Sequence, residues 1–130
     1  MNNNWMEMLG WIEENLEDIR YVGYSYIKEG QYKIALTFFE ALVILHPESA
    51  YDHQTLGGLY LQLGDNMAAL KTLERALELD PSHIPTQLNR TKTLFSLGYR
   101  DQALDAAKNL STSKDAHIAD QASALIEAYS

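Results

Sequence analysis

Leu56-Gly57-Gly58-Leu59-Tyr60-Leu61-Gln62-Leu63-Gly64 decides the fold, because the chain has written it once already. Val22-Gly23-Tyr24-Ser25-Tyr26-Ile27-Lys28-Glu29-Gly30 lies 34 residues earlier and keeps glycine, glycine and tyrosine in register. The phase extends outward without gaps. Gly30, Gly64 and Gly98 are 34 apart, as are Ala35, Ala69 and Ala103, and Pro47 is followed by Pro81. A repeat of this length is a supersecondary unit that buries its apolar face only by stacking on its neighbours.

Each recurring residue has a physical task. Gly30, Gly64 and Gly98 fall where one amphipathic helix ends and the chain turns back, a place for left-handed backbone. Gly23 and Gly57 lie inside helices, where glycine costs about 1 kcal/mol against alanine, so close approach of a paired helix is expected there. The recurring alanines, with Ala76, are small for the same reason. Pro47 and Pro81 end the second helix of each pair, and Ser49 then offers a cap with Asp52 in the capping-box place.

On these residues the sequence resembles the tetratricopeptide repeat, a 34-residue helix–turn–helix unit. Residues 16–49 and 50–83 follow its pattern. Residues 84–115 form a degenerate third repeat, with Gln87, Arg90, Thr91 and Leu94 where the family places an aromatic residue, leucine, glycine and tyrosine. The flanks complete an all-α solenoid of eight helices and no strand. An N-terminal helix over 4–15 carries an apolar stripe at Trp5, Leu9, Ile12, Leu16 and Ile19, with a break expected near Glu14-Asn15. A capping helix over 116–129 carries Ile118, Ala122, Leu125 and Ile126 on one face and would cover the last repeat.

Composition narrows the function. The chain has 130 residues, one domain's length, 46% of them hydrophobic and 22% charged. It has no cysteine, hence no disulfide scaffold, thiolate metal site or cysteine nucleophile. The longest apolar run, Ala41 to Leu45, is too short to span a bilayer, and Met1 to Trp5 do not read as a secretion signal. A cytoplasmic location is expected. The net charge of −8 is concentrated in residues 1–70, which hold ten acids against Arg20, Lys28 and Lys33. Without clustered bases, neither nucleic acid nor anionic membrane is expected as a partner.

Nothing in the pattern reads as catalysis, and no cofactor is expected. There is no phosphate loop, nucleophile elbow or HExxH. The four histidines at 46, 53, 83 and 117 form no helical metal-ligand pair, and Glu13-Glu14 and Glu17-Asp18 read as a solvated acidic face. The expectation is a non-catalytic binding module.

The resemblance implies that the first helix of each pair lines a concave groove. The lining residues are then Arg20, Tyr24, Ile27 and Lys28 in repeat one. Repeat two supplies Tyr51, Gln54, Thr55, Gly58, Leu61 and Gln62, and repeat three Leu88, Asn89, Lys92 and Phe95. The partner-binding set is read as Tyr24, Ile27, Tyr51, Gln54, Gly58, Leu61, Leu88 and Phe95, either an apolar ladder for a ligand or internal packing. Gly58 is a second interior glycine that the pattern does not require, either a dent in the groove floor or a tolerated weakness. Repeat proteins that clamp the C-terminal carboxylate of heat-shock chaperones carry several Lys, Arg and Asn along this groove. Here only Arg20, Asn89 and Lys92 stand there, which disfavours that subclass.

Size, acidity, repeat count and groove character are similar to those of the small chaperones of bacterial type III secretion. That resemblance implies a protein partner, a secretion substrate or apparatus component held soluble until export. A scaffold or co-chaperone module joining folded proteins is the other reading. Trp5, Met8 and Trp11 crowd the first helix and suit either self-association, as a homodimer or heterodimer, or an N-terminal cap.

Overall fold

Three helices end in the same way. Gly30, Gly64 and Gly98 sit at φ 76°, 85° and 82°. Behind each, two backbone bonds close the helix: the glycine N–H donates to Ile27, Leu61 or Phe95, and the next N–H donates to Tyr26, Tyr60 or Leu94. This double bond pattern satisfies carbonyls that a helix end leaves open and folds the chain back sharply. The computed structural model describes residues 4–130, the side chain of Trp5 apart.

Among the described residues there are eight α-helices and no strand: α1 (Asn4–Glu14), α2 (Leu16–Lys28), α3 (Tyr32–Leu45), α4 (Ala50–Gln62), α5 (Asn66–Leu79), α6 (Ile84–Ser96), α7 (Arg100–Leu110) and α8 (Ala116–Tyr129). The pairs α2–α3, α4–α5 and α6–α7 are the three repeats, and α4 also packs on α3 and α6. The break between α1 and α2 falls at Asn15, whose amide Nδ2 donates to the Trp11 carbonyl. Asn4 is itself helical, and the residues before it lie outside the described ones.

Glycine inside the first helix of a repeat is matched by a large partner in the second. A Cβ on Gly23 would stand 2.9 Å from Phe39 Cε2, and one on Gly57 would stand 2.5 Å from Leu73 Cδ2. Phe39 and Leu73 are fully buried. In the third repeat the same phase places Thr91 opposite Ala107, both fully buried. The departure from the family pattern is thus a compensated one, with bulk moved from α7 to α6. The Thr91 hydroxyl donates to the Gln87 carbonyl, one turn back, so its burial leaves no orphaned donor.

The cap of α4 corrects one expectation. Ser49 accepts from the Asp52 N–H as foreseen, but the Asp52 side chain does not reach back to complete a capping box. It is drawn instead to Arg20 of α2. His53, in a position usually aromatic, is buried with Nε2 2.9 Å from the Pro47 carbonyl, which explains how a polar ring is tolerated there.

Candidate functional site

The inner wall is built from α2, α4 and α6, and only its first two helices remain open. Tyr24 and Ile27 of α2 face Tyr51, Gln54, Thr55, Gly58 and Gln62 of α4 across a cleft of about 440 Å³, with Leu59 and Tyr32 also lining it. Five of the eight sequence-derived groove residues therefore meet here. A Cβ on Gly58 would find its nearest neighbour, Asn89 Nδ2, at 3.7 Å, an ordinary contact distance. No helix packing requires this glycine, unlike Gly57 beside it.

The other three residues are placed differently. Leu61 is half-buried and does not line the cleft. Leu88 and Phe95 were expected to be open to a ligand, and the structure corrects this: they are 4% and 5% exposed. The reason is α8, which packs on α6 and α7 as the first helix of a fourth repeat would. Leu88 joins Leu110, Ile118 and Ala122 in a buried cluster. Phe95 stacks on Tyr129 with ring centroids 4.4 Å apart. The apolar ladder is a groove over repeats one and two and internal packing over repeat three.

Beyond Tyr24 and Tyr51, which belong to both, the cleft continues into a second cavity of about 540 Å³ bounded by Glu17, Arg20, Tyr21, His46 and Ser49. Arg20 is anchored at its base. Its Nε and Nη2 donate to Asp52 Oδ1 and Oδ2, both at 2.6 Å, and its Nη1 donates to Glu17. Asp52 is fully buried and the Arg20 side chain 14% exposed. The hydrogen bonds from Arg20 to Asp52 push its pKa above the usual arginine value and outweigh the opposing effect of burial. Arg20 was read as a groove residue and Asp52 as a cap. That they form one ion pair was missed, although an acid in the first turn of α4 with an arginine 32 residues before it is a findable signal.

On α1, Met8 is exposed and Trp11 is 60% exposed, while the side chain of Trp5 lies outside the described residues. Among the described residues no three His, Cys, Asp or Glu side chains converge as a metal site would need, and no helix is long and apolar enough to cross a membrane.

Comparison with known proteins agrees with this architecture. The human PEX5-related protein is 30% identical over 87 residues, 67% of this chain but 14% of that protein, so this chain spans about a seventh of it. The Yersinia enterocolitica type III secretion chaperone SycD, solved with a peptide of the translocator YopD, superposes with TM-score 0.80 at 18% identity, covering 89% of this chain and 92% of that one. The first tetratricopeptide domain of Spaghetti (RPAP3), bound to an HSP90 peptide, superposes with TM-score 0.78 at 16% identity, covering 89% and 90%. A family model for the tetratricopeptide repeat matches residues 22–127. The chain belongs to the tetratricopeptide-repeat family.

Proposed function

We propose that this protein is a non-catalytic binding module that seats a segment of a partner protein in the cleft between α2 and α4, and that it serves as a cytoplasmic type III secretion chaperone. One observation carries the reading: the aromatic cleft includes Gly58, where a Cβ would meet only Asn89 Nδ2 at 3.7 Å, so that the glycine answers to the cleft and not to helix packing. Side-chain pockets spaced along such a groove suit an extended or helical segment with apolar anchors. SycD, a neighbour in fold, is a secretion chaperone solved with a translocator peptide, and the likeness of scale supports the finer role.

The RPAP3 domain, bound to an HSP90 peptide, represents the alternative, an adaptor or co-chaperone. Against a carboxylate clamp stands the state of Arg20. Its guanidinium is held by Asp52, and surrendering it to a peptide would leave a fully buried carboxylate without a partner. We assign Trp5, Met8 and Trp11 to self-association, since the Met8 and Trp11 faces of α1 are uncovered.

Affinity capture from the native host, with mass determination of the intact complex, tests the reading. One small partner in fixed stoichiometry, insoluble when made alone and lost from a Gly58→Leu variant, is the expected result. Several folded partners, each soluble without this chain, make it an adaptor.

A further inference from the structure

The second cavity differs from the cleft in its chemistry, and the difference lies in its charges. Its walls are the rings of Tyr21, Tyr24 and Tyr51. Arg20, at its base, is neutralised by two hydrogen bonds to Asp52. The Glu17 carboxylate, which accepts from Arg20 Nη1, brings the Arg20, Asp52 and Glu17 trio to one net negative charge at the rim, its side chain 88% exposed. The surrounding half of the chain adds to this field, with ten acids against three bases over residues 1–70. Tyrosine faces attract cations through their ring quadrupole, and Tyr24 already carries Lys28 Nζ 5.7 Å from its ring centroid.

We propose that this cavity takes a lysine or arginine side chain of the partner segment, next to the apolar side chain seated against Gly58. The proposal rests on the groove reading above and names the chemistry of its ligand. The aliphatic stem of a lysine or arginine packs against the tyrosine rings while its charged head reaches Glu17 at the rim. An acidic side chain meets Glu17 directly and finds Arg20 already paired. A purely apolar one gains the rings but offers the Glu17 carboxylate, already bonded to Arg20, no second donor. Tyr24 and Tyr51 line both cavities, so the two anchors lie close together on one segment.

Short fluorescein-labelled peptides test this directly. Each carries a leucine or phenylalanine anchor in a glycine–serine background, with lysine, arginine, norleucine or glutamate scanned through the neighbouring positions. The full chain is titrated by anisotropy. At the best position, lysine and arginine peptides should bind about three- to tenfold tighter than norleucine, with glutamate weakest. That preference should shrink to within about twofold in Glu17→Gln and in Tyr21→Leu, both at exposed positions, while norleucine peptides bind Glu17→Gln as before. Equal binding of lysine and norleucine peptides, or a preference that survives in both variants, overturns the cation pocket. If anchored peptides bind without basic preference and Gly58→Leu abolishes that binding, the groove reading stands and only this inference falls. If no anchored peptide binds better than the glycine–serine background, the groove reading fails and the cation pocket with it.

Discussion

The two ends of the solenoid solve the same problem in opposite ways. Arg20 and Leu88 occupy the same phase, two repeats apart, each on the first helix of its pair. At the C-terminal end Leu88 is buried in an apolar cluster beneath α8. At the N-terminal end Arg20 is joined to Asp52 of the next repeat, and among the described residues no helix covers the outer face, where Tyr21 is 73% exposed and Val22 is also exposed. A capping helix closes one end of the stack, whereas α1 makes its appreciable contact with α2 alone. The closed end is structural. The open end, where both cavities lie, is where the proposed partner segment would bind.

Deletion separates the ends most strongly. Removing residues 116–130 exposes Leu88, Leu110 and Phe95 together and should cost roughly 5 kcal/mol or more, comparable with the whole stability of a small domain. Removing residues 1–14 should cost less than about 1 kcal/mol and abolish the self-association proposed for α1. Urea unfolding followed by circular dichroism, with sedimentation for mass, checks both. Similar losses from the two truncations would mean that α1 is a cap after all.

The next effect belongs to the polar joint. Arg20→Met strands a fully buried carboxylate and should cost about 3–5 kcal/mol. Asp52→Asn should cost less, because Arg20 retains Glu17 and some access to water. The order of the two losses is the content of this prediction, and equal losses would show that the pair acts only through packing.

A smaller effect tests the compensated third repeat. Ala107→Leu overfills the site opposite Thr91 and should cost about 1–3 kcal/mol. Adding Thr91→Gly restores the arrangement of Gly57 with Leu73 and should recover most of that loss, a coupling read from a double-mutant cycle.

That pair also shows where sequence reading succeeds and where it stops. The repeat period, the three turn glycines, the break near Asn15 and the span of α8 were all readable, because they follow from local backbone demands. Thr91 looked like decay of the pattern, since its compensation sits 16 residues away on another helix. Leu88 and Phe95 looked like groove for a related reason. Their helix faces are apolar in either case, and only the docking of α8 decides whether solvent or protein meets them. Arg20 and Asp52 were each noticed singly. The ion pair between them depends on how two repeats stack, which phase alone does not specify.

The smallest effect lies at the seam between repeats one and two, where the register again grades from polar to apolar. Tyr26, Tyr60 and Leu94 share one phase: Tyr26 stacks on Phe38, Leu94 is fully buried, and between them the Tyr60 hydroxyl donates to Glu40 Oε2 at 2.7 Å. Burial, with the Glu40 hydrogen bond second, raises the Tyr60 phenol from 10.0 to about 12. The folded state therefore holds this proton more tightly than the unfolded one, and the contribution is fully present below pH 10 and fades as the pH climbs toward 12. Near neutral pH, Tyr60→Phe should cost about 1 kcal/mol, the net value of a half-exposed hydrogen bond to a carboxylate. The two proteins should converge in stability between pH 10 and 12, and comparing them by urea unfolding cancels every other group that titrates there. A gap that stays constant across that range would mean that Tyr60 holds α4 against α3 by its ring alone, placing this seam with the apolar end of the molecule.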